Sequence, residues 1–153
     1  MRSIELTLRN NPADISVVRS ALDRFGAEER IPGKVLIEMQ VVLDEIVSNV
    51  IKYAWPEGGS HEFLVRLTID ETTVGVEVVD DGQAYDPRDA PVPAPVSSGR
   101  RRRPGGLGVH LIKQLVDSLE YERVDEHNRV SLRKRLVVTA LPQNEASDGK
   151  RRA

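Results

Sequence analysis

Glu45 and Asn49 stand four residues apart within the run Val41 to Ala54, which reads as a helix. That spacing puts both on one helical face. A carboxylate there can take or polarise a proton. A carboxamide oxygen one turn away can ligate a hard cation such as Mg²⁺. Leu36, Met39, Leu43, Val47, Val50 and Ala54 recur at three- and four-residue steps. They form an apolar stripe, and the polar pair is expected roughly opposite it. Taken alone, the pair reads more simply as two solvent-facing residues.

Two further groups could join it. Asp80-x-Gly82 follows the strand-like run Val74 to Val79. An aspartate at the end of a buried strand can accept a hydrogen bond from an exocyclic amine, and a glycine after it lets a flat ring approach the backbone. By itself the motif is also an ordinary strand-ending turn. Gly105-Gly106-Leu107-Gly108 opens a helix whose stripe is Leu107, Leu111, Ile112 and Leu115. Glycines at a helix start let a phosphate reach free N–H groups at the positive end of the helix dipole. The box is not a phosphate loop, because Val109-His110 follow Gly108 where Lys-Ser/Thr would stand. The strand-to-helix Gly-x-Gly-x-x-Gly of dinucleotide folds is absent as well.

The elements that must position these groups follow from periodicity. Ile4 to Arg9 alternates as a strand. Asn11 and Pro12 begin a helix over about 12–28, with Ile15, Val18, Leu22 and Phe25 as its stripe. Ile31-Pro32-Gly33 interrupts, and the central helix runs to about Ala54. Phe63–Ile69 and Val74–Val79 are strands joined by a short turn at Asp70-Glu71-Thr72, an antiparallel hairpin. Leu119–Val124 and Arg129–Leu136 form another pair around a turn at 125–128. This order predicts an α/β two-layer sandwich, a mixed, mostly antiparallel sheet with helices on one face. Residues 87–104 hold five prolines and the run Arg100-Arg101-Arg102-Arg103. A stretch of that length inside a domain reads as a functional lid or a disordered, solvated segment. The expected organisation is one domain over 1–141 and a polar tail over 142–153.

Composition narrows the function classes. The chain has 153 residues, a formal charge of −2 and no cysteine, which excludes disulfides and thiolate metal sites. His61, His110 and His127 have no metal-ligand spacing, and no Gly-x-Ser-x-Gly elbow exists. No signal peptide or membrane-spanning run is read, so a soluble cytoplasmic protein is expected. Trp55 reads as a packing residue.

The order of the three boxes carries more than any one of them. Glu-x-x-x-Asn on a helix, Asp-x-Gly after a strand, a Pro/Arg-rich lid and Gly-Gly-x-Gly at a helix start resemble the GHKL superfamily of ATP-binding domains, which includes gyrase, Hsp90-type chaperones and histidine kinases. More narrowly, Asp44 to Asn49 with Tyr53-Ala54, Asp80-Asp81-Gly82 through Tyr85-Asp86-Pro87, and Gly105 to Ile112 resemble the anti-sigma factor serine/threonine kinases. The similarity runs from about Ile4 to Leu136. It implies the histidine-kinase-like (Bergerat) fold, with ATP and Mg²⁺ as cofactors. It implies Glu45 as catalytic base and Asn49 as the Mg²⁺ ligand. Asp80 would hold the adenine amine with Gly82 under the ring. Gly106, Leu107, Gly108 and Val109 would cradle phosphates, and some of Arg100–Arg103 would reach the triphosphate.

The implied activity is that of an anti-sigma regulator, which sequesters a sigma factor and phosphorylates a serine of an anti-sigma antagonist protein. Homodimers are implied too, with the first strand and helix near the interface. Two alternatives remain at this point. One is a nucleotide-gated protein-binding module without kinase activity. The other is a nucleic-acid-binding protein using Arg100–Arg103, against which the negative charge and scarce aromatics argue. The chain departs from the family pattern at Tyr53, where histidine is common, and at Ala84, where the wider superfamily has glycine. The adenine-contacting threonine expected near the last strands is not obvious: it would fall near Arg129, with Ser131 the nearest hydroxyl.

Overall fold

The computed structural model describes residues 1–89 and 106–137. Its elements are β1 (Arg2–Arg9), α1 (Asp14–Glu28), α2 (Gly33–Tyr53), β2 (Glu62–Ile69), β3 (Thr73–Asp80), a 3₁₀ turn (Pro87–Asp89), α3 (Gly106–Leu115), β4 (Ser118–Val124) and β5 (His127–Arg135). The strands form one sheet in the order β1-β2-β3-β5-β4. Every pairing is antiparallel, so no parallel pair stands behind the word "mixed" among the described residues. The helices cover one face, as the two-layer reading requires. Most of the lid, Arg100–Arg103 and the tail lie outside the described residues.

Period-2 alternation builds the core. Leu6, Val65, Val78, Val130 and Tyr121 stand in register across the five strands, and Ile4, Leu67, Val76, Leu132 and Leu119 form the next row. Against these pack Val18, Leu22 and Phe25 of α1, Met39, Leu43 and Val47 of α2, and Ile112 of α3, all fully buried. The opposite face is polar. Arg66 bridges Glu5 and Glu77 at 2.8 Å each, and Arg129 reaches Glu122 at 3.3 Å. These exposed pairs alternate in sign from strand to strand and contribute little stability each.

The same alternation fixes a functional point. Val74, Val76 and Val78 face the core, so the next inward residue, at the strand's end, is Asp80. On β5 the inward series is Asn128, Val130, Leu132 and Lys134, and Asn128 stands directly across from Asp80. The strand therefore begins before Arg129, and Asn128 belongs to it. The two-residue turn Asp125-Glu126, both with positive φ, twists with the hairpin it closes.

The turn between β2 and β3 is held by one carboxylate. Asp70 Oδ1 accepts the backbone N–H groups of Thr72 and Thr73 at 2.8 Å each, and Oδ2 accepts the Thr73 hydroxyl at 2.8 Å. These bonds favour the ionised form and hold its pKa at about 2. A pKa depressed on folding adds stability that is present above the unfolded value, about 3.9, and is lost as pH falls toward 2. An NMR titration of the Asp70 carboxyl should give a midpoint near 2. Asp70→Ala should lower the thermal midpoint at pH 7, by an amount that shrinks between pH 4 and 2.

Candidate functional site

Helix α2 lies between α1 and α3 and packs under the sheet. Its buried set is wider than the predicted stripe: Val35, Val42 and Ile46 are buried as well, and Leu36 only partly. Glu45 and Asn49 therefore border the apolar surface, half-buried, instead of lying opposite it. The reason is that α2 is covered by two helices and a sheet, which a single stripe does not anticipate. Adjacent carboxylates part company here. Asp44 turns to α1, where Arg19 clamps it with Nε at 2.8 Å and Nη2 at 2.6 Å. Glu45 turns to α3, where a Cβ placed on Gly108 would collide with its carboxylate.

A largely apolar cavity opens beside this contact, a concave setting of the kind small-molecule sites use. Ile46, Val50, Ala54, Val109, Ile112 and Val130 supply apolar walls, and Asn49, Tyr53, Tyr85, Asp80 and Asn128 the polar points. Gly106, Leu107, Gly108 and Val109 form the first turn of α3. The leading N–H groups of such a turn lack partners inside the helix and carry its positive end. A side chain at 108 would fill the approach that Glu45 now uses.

Asp80 is 6% exposed. Its Oδ1 accepts the Gly82 N–H at 2.9 Å and Asn128 Nδ2 at 3.0 Å. Oδ2 receives no protein donor among the described residues, although it is not sealed from the cavity. Burial pushes the Asp80 pKa up; the two hydrogen bonds and the nearby Arg123 pull against it. Burial likewise raises the Tyr85 hydroxyl, beside Tyr53.

The structure thus brings Asn49, Asp80 and Val109 to the wall of one cavity, with Glu45 meeting Gly108 beside it and Gly106 and Leu107 opening the same helix. Gly82 does not line it. A Cβ at 82 would strike the Ala54 carbonyl, while the next amide, Gln83 N–H, bonds that carbonyl at 2.7 Å. Glycine is required there so that the turn after β3 can lie on the end of α2, a packing reason that stands beside the expected role under a ring. Trp55 reinforces this junction: it is buried, stacks on His61 with centroids 4.6 Å apart, and donates Nε1–H to Asp81 at 3.1 Å.

Sequence reasoning missed Asn128. Ser131 cannot replace the missing threonine, since it stands between Glu77 and Glu120 on the outer face; Asn128 is the polar group that reaches Asp80. The signal was present in the alternation Asn128, Val130, Leu132, but a turn that reached to 128 concealed it.

A five-stranded antiparallel sheet covered by helices on one face, with these groups gathered where α2 and α3 meet, is the layout of an ATPase domain related to histidine kinases. Residues 8–134 match the family described as the histidine kinase-like ATPase domain, and the chain belongs to that family. Among curated relatives, the serine/threonine-protein kinase BtrW of Bordetella bronchiseptica is 28% identical over 113 residues, 72% of this chain and 78% of its own. The serine-protein kinase RsbW of Bacillus velezensis is 22% identical, over 78% of this chain and 77% of its own. The narrower resemblance to anti-sigma serine kinases holds accordingly. Among solved structures, the RsbU and RsbW domains of Rv1364c from Mycobacterium tuberculosis superpose with a TM-score of 0.65 at 16% identity, over 88% of this chain. This chain spans 32% of that longer protein. The SiaB–SiaC complex of Pseudomonas aeruginosa gives 0.52 at 16% identity, over 85% of this chain and 89% of that one. At such identity the superpositions establish the fold. No helix among the described residues is long and apolar enough to cross a membrane.

Two substitutions separate packing from chemistry. A carboxyl pKa raised on folding contributes stability present at low pH and lost as pH rises through the folded value, so ionised Asp80 is a burden at neutral pH. Asp80→Asn keeps an oxygen for Gly82 and Asn128 and should leave the thermal midpoint at pH 7 equal or higher, the gain fading on acidification. Gly82→Ala should cost about 1–3 kcal/mol in denaturant unfolding, the range for a forced backbone shift.

Proposed function

We propose that this protein is an ATP-binding anti-sigma regulatory factor that sequesters a sigma factor and transfers the γ-phosphoryl of Mg²⁺-ATP to a serine of an anti-sigma antagonist protein. The observation that carries the reading is the cavity itself: Asp80 Oδ2, which receives no protein donor among the described residues, stands among apolar walls, and a second carboxylate and a helix start stand at its edge. The walls suit a purine, and Asp80 Oδ2 suits its exocyclic amine. The first turn of α3 suits phosphate oxygens. The described residues hold no cluster of three His, Cys, Asp or Glu. That fits Mg²⁺, which is commonly held by one or two protein ligands together with substrate phosphates; Asn49 is the ligand this chain offers. The ion, when bound, neutralises charge on the phosphates.

Glu45 accepts the proton of the attacking serine hydroxyl. The serine oxygen bonds to the γ-phosphorus as the bond from that phosphorus to the β,γ-bridging oxygen breaks, and the bridging oxygen leaves with ADP. Positioning and charge stabilisation dominate such transfers. The serine kinases among the relatives support a protein serine as acceptor, and a soluble cytoplasmic setting accords with that chemistry.

Calorimetry should show ATP and ADP binding that weakens when EDTA removes Mg²⁺. Absence of binding would sink the proposal. Labelled ATP with the antagonist encoded beside the gene should label a serine. Glu45→Gln should cut that transfer by about 10²–10⁴-fold, the usual worth of a general base, with ADP affinity within about threefold. Tight nucleotide binding without any transfer in the unaltered protein would instead leave a nucleotide-gated binding module.

A further inference from the structure

Asn128 is 3% exposed, and the chemistry above does not use it. Its carboxamide is fully engaged. Nδ2 donates to Asp80 Oδ1 at 3.0 Å and to the Gln83 carbonyl at 2.8 Å. Its Oδ1 accepts the Tyr121 hydroxyl at 2.6 Å, Arg123 Nη1 at 2.9 Å and the Tyr85 N–H at 3.4 Å.

The two ends of this amide are not interchangeable. A guanidinium has only donors and a backbone carbonyl only accepts. Flipping Asn128 would set its NH₂ against Arg123 and its oxygen against the Gln83 carbonyl. Arg123 is itself tied to the Gly82 carbonyl at 3.1 Å, so it cannot simply swing aside. The neighbours therefore dictate that a donor faces Asp80 Oδ1. The Gly82 N–H places a second donor on that same oxygen. Among the described residues both protein donors fall on Oδ1, and Oδ2 is left as an acceptor without a protein partner.

We propose that Asn128 is a positioning residue that sets purine selectivity: its orientation-locked amide pins Asp80 Oδ1, so that Oδ2 accepts from a base with a 6-amino group and rejects one with a 6-keto oxygen. The proposal rests on the nucleotide reading of the cavity. A 6-keto oxygen opposite Oδ2 sets two acceptors face to face in a buried place, which leaves both unsatisfied. Asn128 acts through Asp80, because both of its own ends are occupied by protein. Without the pin, the carboxyl can rotate or hold a proton toward the cavity, and the distinction between amine and carbonyl weakens.

ADP and IDP differ at the 6-position of the base, and calorimetric titration of the full chain with each provides the test. The unaltered protein should prefer ADP by at least about tenfold, the order expected for one unsatisfied buried pair. Asn128→Leu should bring the ratio within about threefold by weakening ADP while IDP affinity moves little. An equal loss of both nucleotides would mean a merely structural role and overturn the proposal, as would an unchanged ratio. A second variant, Tyr121→Phe with Arg123→Leu, keeps Asn128 and Asp80 and removes the two side-chain donors that orient the amide, leaving only the backbone of Gln83 and Tyr85; it should compress the ratio in part, and an unchanged ratio there refutes the proposed lock even if Asn128→Leu fails to fold. If the unaltered protein binds ADP without preference over IDP, this selectivity is wrong while the nucleotide reading stands. If it binds neither, both fall.

Discussion

The contact on which the rest depends is the carboxylate–carboxamide pair Asp80–Asn128 at the ends of β3 and β5. Burying a carboxylate is costly unless it is hydrogen-bonded. Here the compensation is one-sided: a backbone N–H and an amide both serve one oxygen. The fold thus tolerates a buried acid and still leaves half of it unspent. Antiparallel register makes this possible, because Asp80 and Asn128 are partners on the inward face.

Helix α2 distributes the remaining work. Three of its acidic residues go in three directions: Asp44 to Arg19 on α1, Glu45 to the start of α3, and Glu38 to Lys134 on β5 at 2.7 Å. Lys134 also donates to the Leu115 carbonyl at 2.5 Å, at the C-terminal end of α3 where a cation is favourable. One helix is thereby fastened at both ends, its N-terminal turn against Glu45 and its C-terminal turn through Lys134. Lys113 extends the connection by donating to the Arg88 carbonyl at 2.7 Å, which ties the 3₁₀ turn after Asp86 to α3.

The chain belongs to the histidine kinase-like ATPase domain family and is 28% and 22% identical to the two serine kinases it resembles; one of its departures from the family pattern has a structural counterpart. Where a threonine is expected, a locked asparagine stands on the neighbouring inward position. Tyr121 and Arg123 from β4 keep it oriented, so the substitution is supported by residues on a second strand.

Much was legible from local pattern. Alternation and three- and four-residue steps located the five strands and three helices of the described residues to within a few positions, because each element's buried face is written in its own period. The ordered boxes pointed to Glu45, Asn49, Asp80 and the start of α3. Three matters belonged to tertiary structure alone. The helix face carrying Glu45 and Asn49 was decided by α1 and α3 packing on either side of α2. Gly82 is needed for its approach to Ala54, 28 residues earlier in the chain, and spacing within the Asp-x-Gly turn carries no trace of that. Asn128 meets Asp80 only through strand register, where a shift of one residue would have turned it to solvent. Periodicity reports what a residue does within its own element; a partner supplied by another element becomes visible only when the chain has folded.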